Sequence, residues 1–480
     1  MTVRTRFAPS PTGRLHLGNV RAAVFNWLFA RHHGGAFILR VEDTDVERNV
    51  EGGEAALMED LRWLGLTWDE GPDVGGPHAP YRQSGRDRVY RAALEELRTR
   101  GRAYPCYCTD EELEAMAQVG KGGRTVHRYD GRCRNLDDAA RAALEAEGRS
   151  AAYRFALPEG LGEVVVVDQV FGTVRVPAAD LDDFILLRRD GRPTYNFAVV
   201  ADDAEMEITH VIRGVGHLSN TPKQVLLFQA LDREPPVFAH LPTVLGPDGR
   251  KLSKREGSAS VEDLRDEGFP PHAIVNYVSL LGWSHPEEKE VLTPEQLIAA
   301  VSLERVGRSD TQMDPEKLRW LSAQHIAREP LEELTDHVVP FVDGDRFPQA
   351  LAHPREVVDA LRSRLSTYGD INRHLPLLFP PETEELLRLR RRAAADPLAR
   401  TALQAVRDVL ERAEPWTDGA LGAAVREAGA RAGVKGRRLF HPLRTALIGS
   451  ETGPDIGKIL AAIGRKEALR RLDQALEGSA

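Results

Sequence analysis

Short apolar runs bounded by glycine and proline alternate with stretches of helical period over the first eighty residues. Val3 to Phe7 and Phe37 to Val41 read as strands, whereas Val20, Ala23, Val24, Trp27 and Leu28 recur at helical spacing before His33. Gly53 to Leu64 repeats the helical pattern. Strand, helix, strand, helix in that order predicts parallel βαβ units. Gly71-Pro72-Asp73-Val74-Gly75-Gly76-Pro77 then breaks the alternation. Apolar runs return at Leu181 to Leu187, Phe197 to Val200 and Ile208 to Ile212. A Rossmann-like α/β sheet interrupted by an insert is the expected fold. From about residue 321 the pattern turns helical, with Leu351 to Leu365, Thr383 to Glu411 and Ile459 to Leu476 rich in Ala, Leu, Arg and Glu. A chain of 480 residues exceeds one ordinary core, so several domains are expected.

Two loops carry the candidate chemistry. Between the first strand and the first helix lies Phe7-Ala8-Pro9-Ser10-Pro11-Thr12-Gly13-Arg14-Leu15-His16-Leu17-Gly18-Asn19. Its prolines hold the loop open, and Gly13 and Gly18 let backbone approach a ligand closely. The helix that follows offers free N–H groups and a positive dipole end, which suits a triphosphate. His16 can donate a hydrogen bond to a phosphate oxygen. The second loop is Lys251-Leu252-Ser253-Lys254-Arg255, flanked by Gly246-Pro247-Asp248-Gly249 and Gly257. Two lysines three residues apart can stabilise charge that develops on an α-phosphate under attack. Either loop alone has a bland reading, a Pro/Gly turn or a solvated basic loop. The pair predicts an ATP site. No G-x-G-x-x-G follows a strand, so a nicotinamide cofactor is not expected.

With these residues the chain resembles the class I aminoacyl-tRNA synthetases: His16-Leu17-Gly18-Asn19 is similar to their His-Ile-Gly-His signature, and Lys251 to Arg255 to Lys-Met-Ser-Lys-Ser. Arg40-Val41-Glu42-Asp43-Thr44-Asp45, Tyr81-Arg82-Gln83-Ser84, Pro193-Thr194-Tyr195-Asn196-Phe197-Ala198 and His441-Pro442-Leu443-Arg444 extend the resemblance to the bacterial glutamyl-tRNA synthetases along almost the whole chain. The resemblance implies a catalytic α/β domain in two halves, 1–84 and 181–235, split by an α/β insert at 85–180 that meets the tRNA acceptor end. It further implies a stem-contact domain at 236–320 carrying the lysine loop, and two helical anticodon-binding subdomains at 321–385 and 386–480. The implied reaction joins L-glutamate to tRNA(Glu) through glutamyl-adenylate, with Mg²⁺-ATP and catalysis by His16, Lys251 and Lys254. By the same resemblance Pro9, Ser10, Thr12, Gly13, Gly18, Asn19, His217 and Ser253 also belong to the ATP site.

A glutamate pocket needs guanidinium groups for two carboxylates and an acid for the ammonium. Arg6 and Arg213 supply the former and Glu42 the latter. The resemblance adds Ala8, Ser10, Tyr195 and Val199 to that pocket and makes Arg213 the reader of the side-chain carboxylate. It also places Arg364, in Leu361-Arg362-Ser363-Arg364-Leu365, where an arginine reads the last anticodon base, so a form that rejects tRNA(Gln) is expected. One departure stands out. After Arg213 the family carries an acidic pair, whereas this chain has Val215-Gly216 before His217. This departure keeps open a catalytically weakened tRNA-binding paralogue, and a helix-surface reading of Arg364 keeps open a form that also charges tRNA(Gln). A glutamyl-queuosine tRNA synthetase would lack the C-terminal helical region.

All three cysteines fall in the insert: Cys106 and Cys108, then Cys133 after 24 further residues. In a cytoplasmic protein such a group points to metal before disulfide. The resemblance implies Zn²⁺ on Cys106, Cys108 and Cys133, with Tyr129 as the fourth ligand. His127 is close enough in sequence to compete, and Asn135 holds the place where relatives carry histidine.

Net charge is −9. Residues 351–480 hold 22 Lys and Arg against 17 Asp and Glu, a balance of +5, which leaves −14 for residues 1–350. Arg388, Arg390-Arg391-Arg392 and Lys435-Gly436-Arg437-Arg438 can meet RNA phosphates or form solvated helix faces. With 29% charged residues and no long apolar stretch, a cytoplasmic monomer without membrane contact is expected.

Overall fold

The computed structural model describes residues 2–45, 49–119, 125–250 and 260–477. The chain divides into two compact units, one of Met1–Val261 with Val275–Asp314 and the other of Glu262–Ile274 with Pro315–Ala480.

In the first unit, strand β1 (Arg4–Phe7) leads through the proline loop to helix α1 (Leu17–His32), and strand β2 (Ala36–Leu39) returns parallel to β1 with Arg4 opposite Ala36 and Phe7 opposite Leu39. Val20, Ala23, Val24, Phe25, Leu28 and Phe29 are all buried, so α1 is packed on several sides instead of lying as a surface helix. Asn26 binds it to the sheet by donating to the carbonyl of Ile212 (2.8 Å). Helix α2 (Gly53–Trp63) follows, and α3 (Asp87–Thr99) opens the insert.

Strands β3 (Ala103–Cys106) and β4 (Ala152–Phe155) follow, then a hairpin of β5 (Glu163–Asp168) and β6 (Gly172–Pro177), then, past the expected end of the insert, β7 (Ile185–Leu187). β3, β4 and β7 form an antiparallel sheet. The chain returns through helix α4 (Tyr195–Glu205), strand β8 (His210–Gly214), helix α5 (Thr221–Ala230) and strand β9 (Val237–Leu241). β8 and β9 are parallel and in register from His210 opposite Val237 to Gly214 opposite Leu241. On its far side β9 meets the insert hairpin at one pair, Phe238 with Asp168, giving the strand order β8-β9-β5-β6. Thr209 donates its N–H to the carbonyl of Arg4 (3.0 Å), which brings β1 beside β8.

The run Phe197 to Val200 is helical, inside α4, although its apolar continuity reads equally as a buried strand. Phe197, Ala198, Val199 and Val200 are all buried, so no polar face marks the helical period. Pro193 and the extended Thr194 start the helix.

The second unit is built of helices around one apolar core that includes Leu334, Val358, Leu361, Leu403, Val425, Leu443, Leu460 and Leu472. Two long helical expectations are divided. Asp396 caps a new helix with Pro397 in its first turn, so Thr383 to Glu411 becomes Glu384–Ala393 and Pro397–Arg412. Gly464, at φ 77°, separates Ile456–Ile463 from Arg465–Leu476, and a Cβ there would stand 2.6 Å from His353 Nε2. Arg390 is buried and donates to Glu382 (3.1 Å) and Gln474 (2.8 Å), so it is turned away from any outward basic stripe made by its neighbours. Among the described residues no helix is long and apolar enough to cross a membrane.

Candidate active site

A cavity of about 670 Å³ opens at the ends of β1, β8 and β9 that point toward the proline loop. Parallel sheets place ligands at such carboxyl ends. Arg6, Ala8, Pro9, Ser10, Thr12, His16, Gly18, Asn19, Glu42, Tyr195, Arg213 and His217 all line it. Residues as far apart as Arg6 and His217 thus meet in one space. Gly13 and Val199 are off its wall: Gly13 makes the turn at φ 104°, and Val199 is buried within α4.

The proline loop is held from beneath by a buried carboxylate. Asp60, on α2, accepts from the N–H of Leu15 (3.0 Å) and from Arg14 (3.0 Å). His16 is the cap of α1, its Nδ1 accepting from the N–H of Asn19 (3.3 Å). A bridge pairs His16 with Ser260, and Val261 donates to the carbonyl of Leu15 (2.9 Å). Lys251, Ser253 and Lys254 are outside the described residues. The chain immediately after them is therefore fastened to the His16 loop, and Val244, shortly before them, lines the cavity.

The opposite wall consists of buried charge. Arg6 is 4% exposed, and its Nε donates to Asp203 (3.2 Å), which also takes Arg40 (2.6 Å). Burial alone would push the Asp203 carboxyl up, but Arg6 and Arg40 outweigh it and hold it below the ordinary range. Glu42 accepts from Arg40 (3.2 Å), and burial pushes its carboxyl upward despite that partner. A bound ammonium would offset this desolvation.

Arg213 is 6% exposed. Its Nε donates to His240 Nε2 (3.1 Å), and one terminal nitrogen donates to Thr221 (2.9 Å) and Gln224 (2.7 Å). The other terminal nitrogen, Nη1, is buried with no partner among the described residues. Such a group is expensive to leave unsatisfied. A carboxylate in the cavity would satisfy it. At the rim the Tyr195 and His217 rings stand 5.2 Å apart, and Gly216 is open, with nothing within 4 Å of an added Cβ.

The family model of the class I tRNA synthetases (E and Q), catalytic domain, matches residues 2–320, and that of an anticodon-binding domain matches residues 333–476. The chain belongs to the class I tRNA synthetases of the E and Q type. It is similar to a glutamate–tRNA ligase of Desulforudis audaxviator, 44% identical over 99% of this chain and 96% of that protein. A glutamate–tRNA ligase of Moorella thermoacetica is 43% identical over 98% of both. Among solved structures, a glutamate tRNA ligase of Elizabethkingia meningosepticum in complex with its amino acid matches with a TM-score of 0.83 and 32% identity, covering 99% of each chain. The fold is accordingly a class I catalytic domain followed by a helical anticodon-binding domain.

Within this synthetase the insert brings its cysteines together. The sulfurs of Cys106, Cys108 and Cys133 lie within 4.8 Å of one another, all buried. Cys108 and Cys133 are 3.6 Å apart, close to the roughly 3.8 Å edge of a tetrahedral zinc thiolate site. Tyr129 Oη joins them, 3.6 Å from Cys106 Sγ, and accepts from the N–H of Cys133 (3.0 Å). Asn135 is exposed, and the side chain of His127 is outside the described residues. Arg154 donates to Cys106 (3.2 Å) with its guanidinium 3.7 Å from the centre of the Tyr129 ring. Hydrogen bonds from Cys133 and Arg154 hold the Cys106 thiol low against the effect of burial. The donor set fits zinc.

In the anticodon-binding domain Arg362 and Arg364 part ways. Arg362 donates to the carbonyls of Ile326 (3.2 Å) and Ala327 (2.8 Å), capping the end of helix Pro315–Arg328, while Arg364 is exposed. Sequence reading missed Asp60, Asp203, Arg40 and His240. The available signal was a charged residue inside an apolar segment, as in Val199-Val200-Ala201-Asp202-Asp203.

Proposed function

We propose that this synthetase attaches L-glutamate to tRNA(Glu) by way of glutamyl-adenylate. The observation that carries the reading is Arg213, a buried guanidinium of the cavity wall fixed on two sides, whose Nη1 has no partner among the described residues. It suits a substrate whose side chain ends in a carboxylate. A glutamine amide would forfeit a charge-assisted contact worth about 1.5 to 3 kcal/mol. Arg6 and Glu42 line the same cavity and offer partners to the α-carboxylate and α-ammonium.

In the first step the α-carboxylate attacks the α-phosphorus of ATP and pyrophosphate leaves. In the second, a terminal ribose hydroxyl of tRNA attacks the activated carbonyl and AMP leaves. No side chain becomes covalently modified, so the residues act by position and charge. His16, Pro9, Ser10 and Thr12 bound the nucleotide's place, and Lys251 and Lys254 are assigned to the phosphates. Mg²⁺ accompanies ATP and neutralises phosphate charge. Cys106, Cys108, Cys133 and Tyr129 would hold Zn²⁺ as a structural cross-link within the insert. Exposed Arg364 is assigned to the anticodon, in favour of tRNA(Glu) over tRNA(Gln). The setting is the cytoplasm, where ATP, glutamate and tRNA meet.

Pyrophosphate exchange with glutamate, with and without tRNA, tests the reading on a preparation whose zinc content is measured in parallel. Glutamate-dependent exchange, zinc near one equivalent and charging confined to tRNA(Glu) are expected. Absence of exchange under every tRNA condition would return the chain to a tRNA-binding paralogue, and charging of tRNA(Gln) would remove the discriminating role of Arg364.

A further inference from the structure

Behind Arg213 lies a second layer of buried polar groups that the proposed chemistry does not use. His240, on β9, is fully buried and sits between Arg213 and Asp168. Its Nε2 is 3.1 Å from Arg213 Nε, and its Nδ1 is 2.6 Å from Asp168 Oδ2. An arginine Nε can only donate, so His240 Nε2 must accept. The imidazole proton therefore resides on Nδ1 and is donated to Asp168. Burial lowers the His240 pKa, opposed by Asp168 and reinforced by Arg213, which agrees with a neutral ring between the two charges.

Asp168 is committed on its other oxygen. Oδ1 accepts from the N–H groups of Val170 (3.0 Å) and Phe171 (2.8 Å), the turn that joins β5 to β6. Every described partner of this carboxylate is a donor, and the residue is 2% exposed. Two hydrogen bonds thus connect the hairpin of the insert to the arginine in the cavity wall. Resting on the reading of Arg213 as the glutamate-side-chain contact, we propose that Asp168 and His240 are positioning residues that set the orientation of Arg213 and with it the affinity for glutamate.

The relay makes distinct demands on each link. Asp168→Asn is isosteric but brings an amide N–H to a place surrounded by donors, whichever way it is turned. His240→Asn retains a donor toward Asp168 and removes the acceptor for Arg213. His240→Gln restores an acceptor near the position of Nε2. We expect the Kd for glutamate by calorimetry, and its KM in exchange, to rise roughly fivefold in Asp168→Asn and in His240→Asn. His240→Gln, which restores the acceptor for Arg213 but no longer reaches Asp168, should fall between His240→Asn and wild type, and the KM for ATP should stay at the wild-type value in all three. Were Asp168→Asn not to fold, His240→Asn decides, because it leaves the hairpin's own bonds intact. Glutamate affinity equal to wild type in both, or a KM for ATP that rises in step with that for glutamate, would overturn the relay alone. Wild-type protein that neither binds glutamate nor exchanges would overturn the relay together with the assignment of Arg213.

Discussion

The two ends of the cavity are made of different materials. Toward the sheet the wall is buried charge: Arg6 and Arg40 on Asp203, Arg213 on His240 and Gln224. Toward the proline loop small residues predominate, with Pro9, Ser10, Thr12, Gly18, Val215 and Gly216 beside the polar side chains of His16, Asn19 and Arg21. Charge wins where a carboxylate must be told from an amide, because a desolvated guanidinium discriminates between them. At the other end the N–H groups at the start of α1 point toward the place proposed for a polyphosphate, and the proposed Lys251 and Lys254 would add their charge to them. The charged end also depends on distant partners, Arg6 with Asp203 and Arg40 with Asp203, and exists only once the chain has folded around it.

The strongest test of this contrast is Arg213→Gln. Losing the charged contact should lower kcat/KM for glutamate in pyrophosphate exchange by roughly ten- to hundredfold, the kinetic equivalent of about 1.5 to 3 kcal/mol. The KM for ATP should not follow. A parallel loss of ATP affinity would mean that the two ends are a single construction.

What could be read in the sequence follows the same division. The nucleotide end is local, so Pro9 through Asn19 announced strand, loop and helix start within a few residues of one another, and β1, α1 and β2 fall where the apolar period puts them. Arg6, Glu42 and Arg213, expected from the chemistry that glutamate demands, line one cavity. Their supports were not expected. Asp203, His240 and Asp168 are joined to the site by hydrogen bonds across 197, 27 and 72 positions, and nothing in local periodicity carries such a pairing. The Phe197 to Val200 run misled for a related reason, since uniform burial erases the polar face that distinguishes helix from strand. In the helical region, Pro397 and Gly464 were the marks of helix ends inside stretches read as continuous.

A smaller effect is expected beneath the nucleotide end, at the buried carboxylate of Asp60. Asp60→Asn keeps the shape but turns an amide N–H toward a donor, either Leu15 N–H or Arg14, beneath the His16 loop. An imperfectly paired loop should raise the KM for ATP by about fivefold, as for one lost hydrogen bond, and leave the Kd for glutamate in place. Steady-state exchange at varied ATP and calorimetry with glutamate measure the two separately. A loss confined to glutamate would reverse the assignment of the two ends.

The smallest effect belongs to Gly216→Glu, which introduces one of the acidic residues that the family resemblance leads one to expect there. The position is exposed, and an added Cβ meets nothing within 4 Å. The new carboxylate has room to stand in solvent at the rim, so stability should change by less than about 0.5 kcal/mol, as for surface substitutions away from special features. Exchange should stay within about twofold of wild type, since an exposed and screened charge contributes little. The decisive result would be a gain. A tenfold rise in kcat/KM for ATP would show that a carboxylate belongs in the nucleotide end, which would then be built from charge as the glutamate end is.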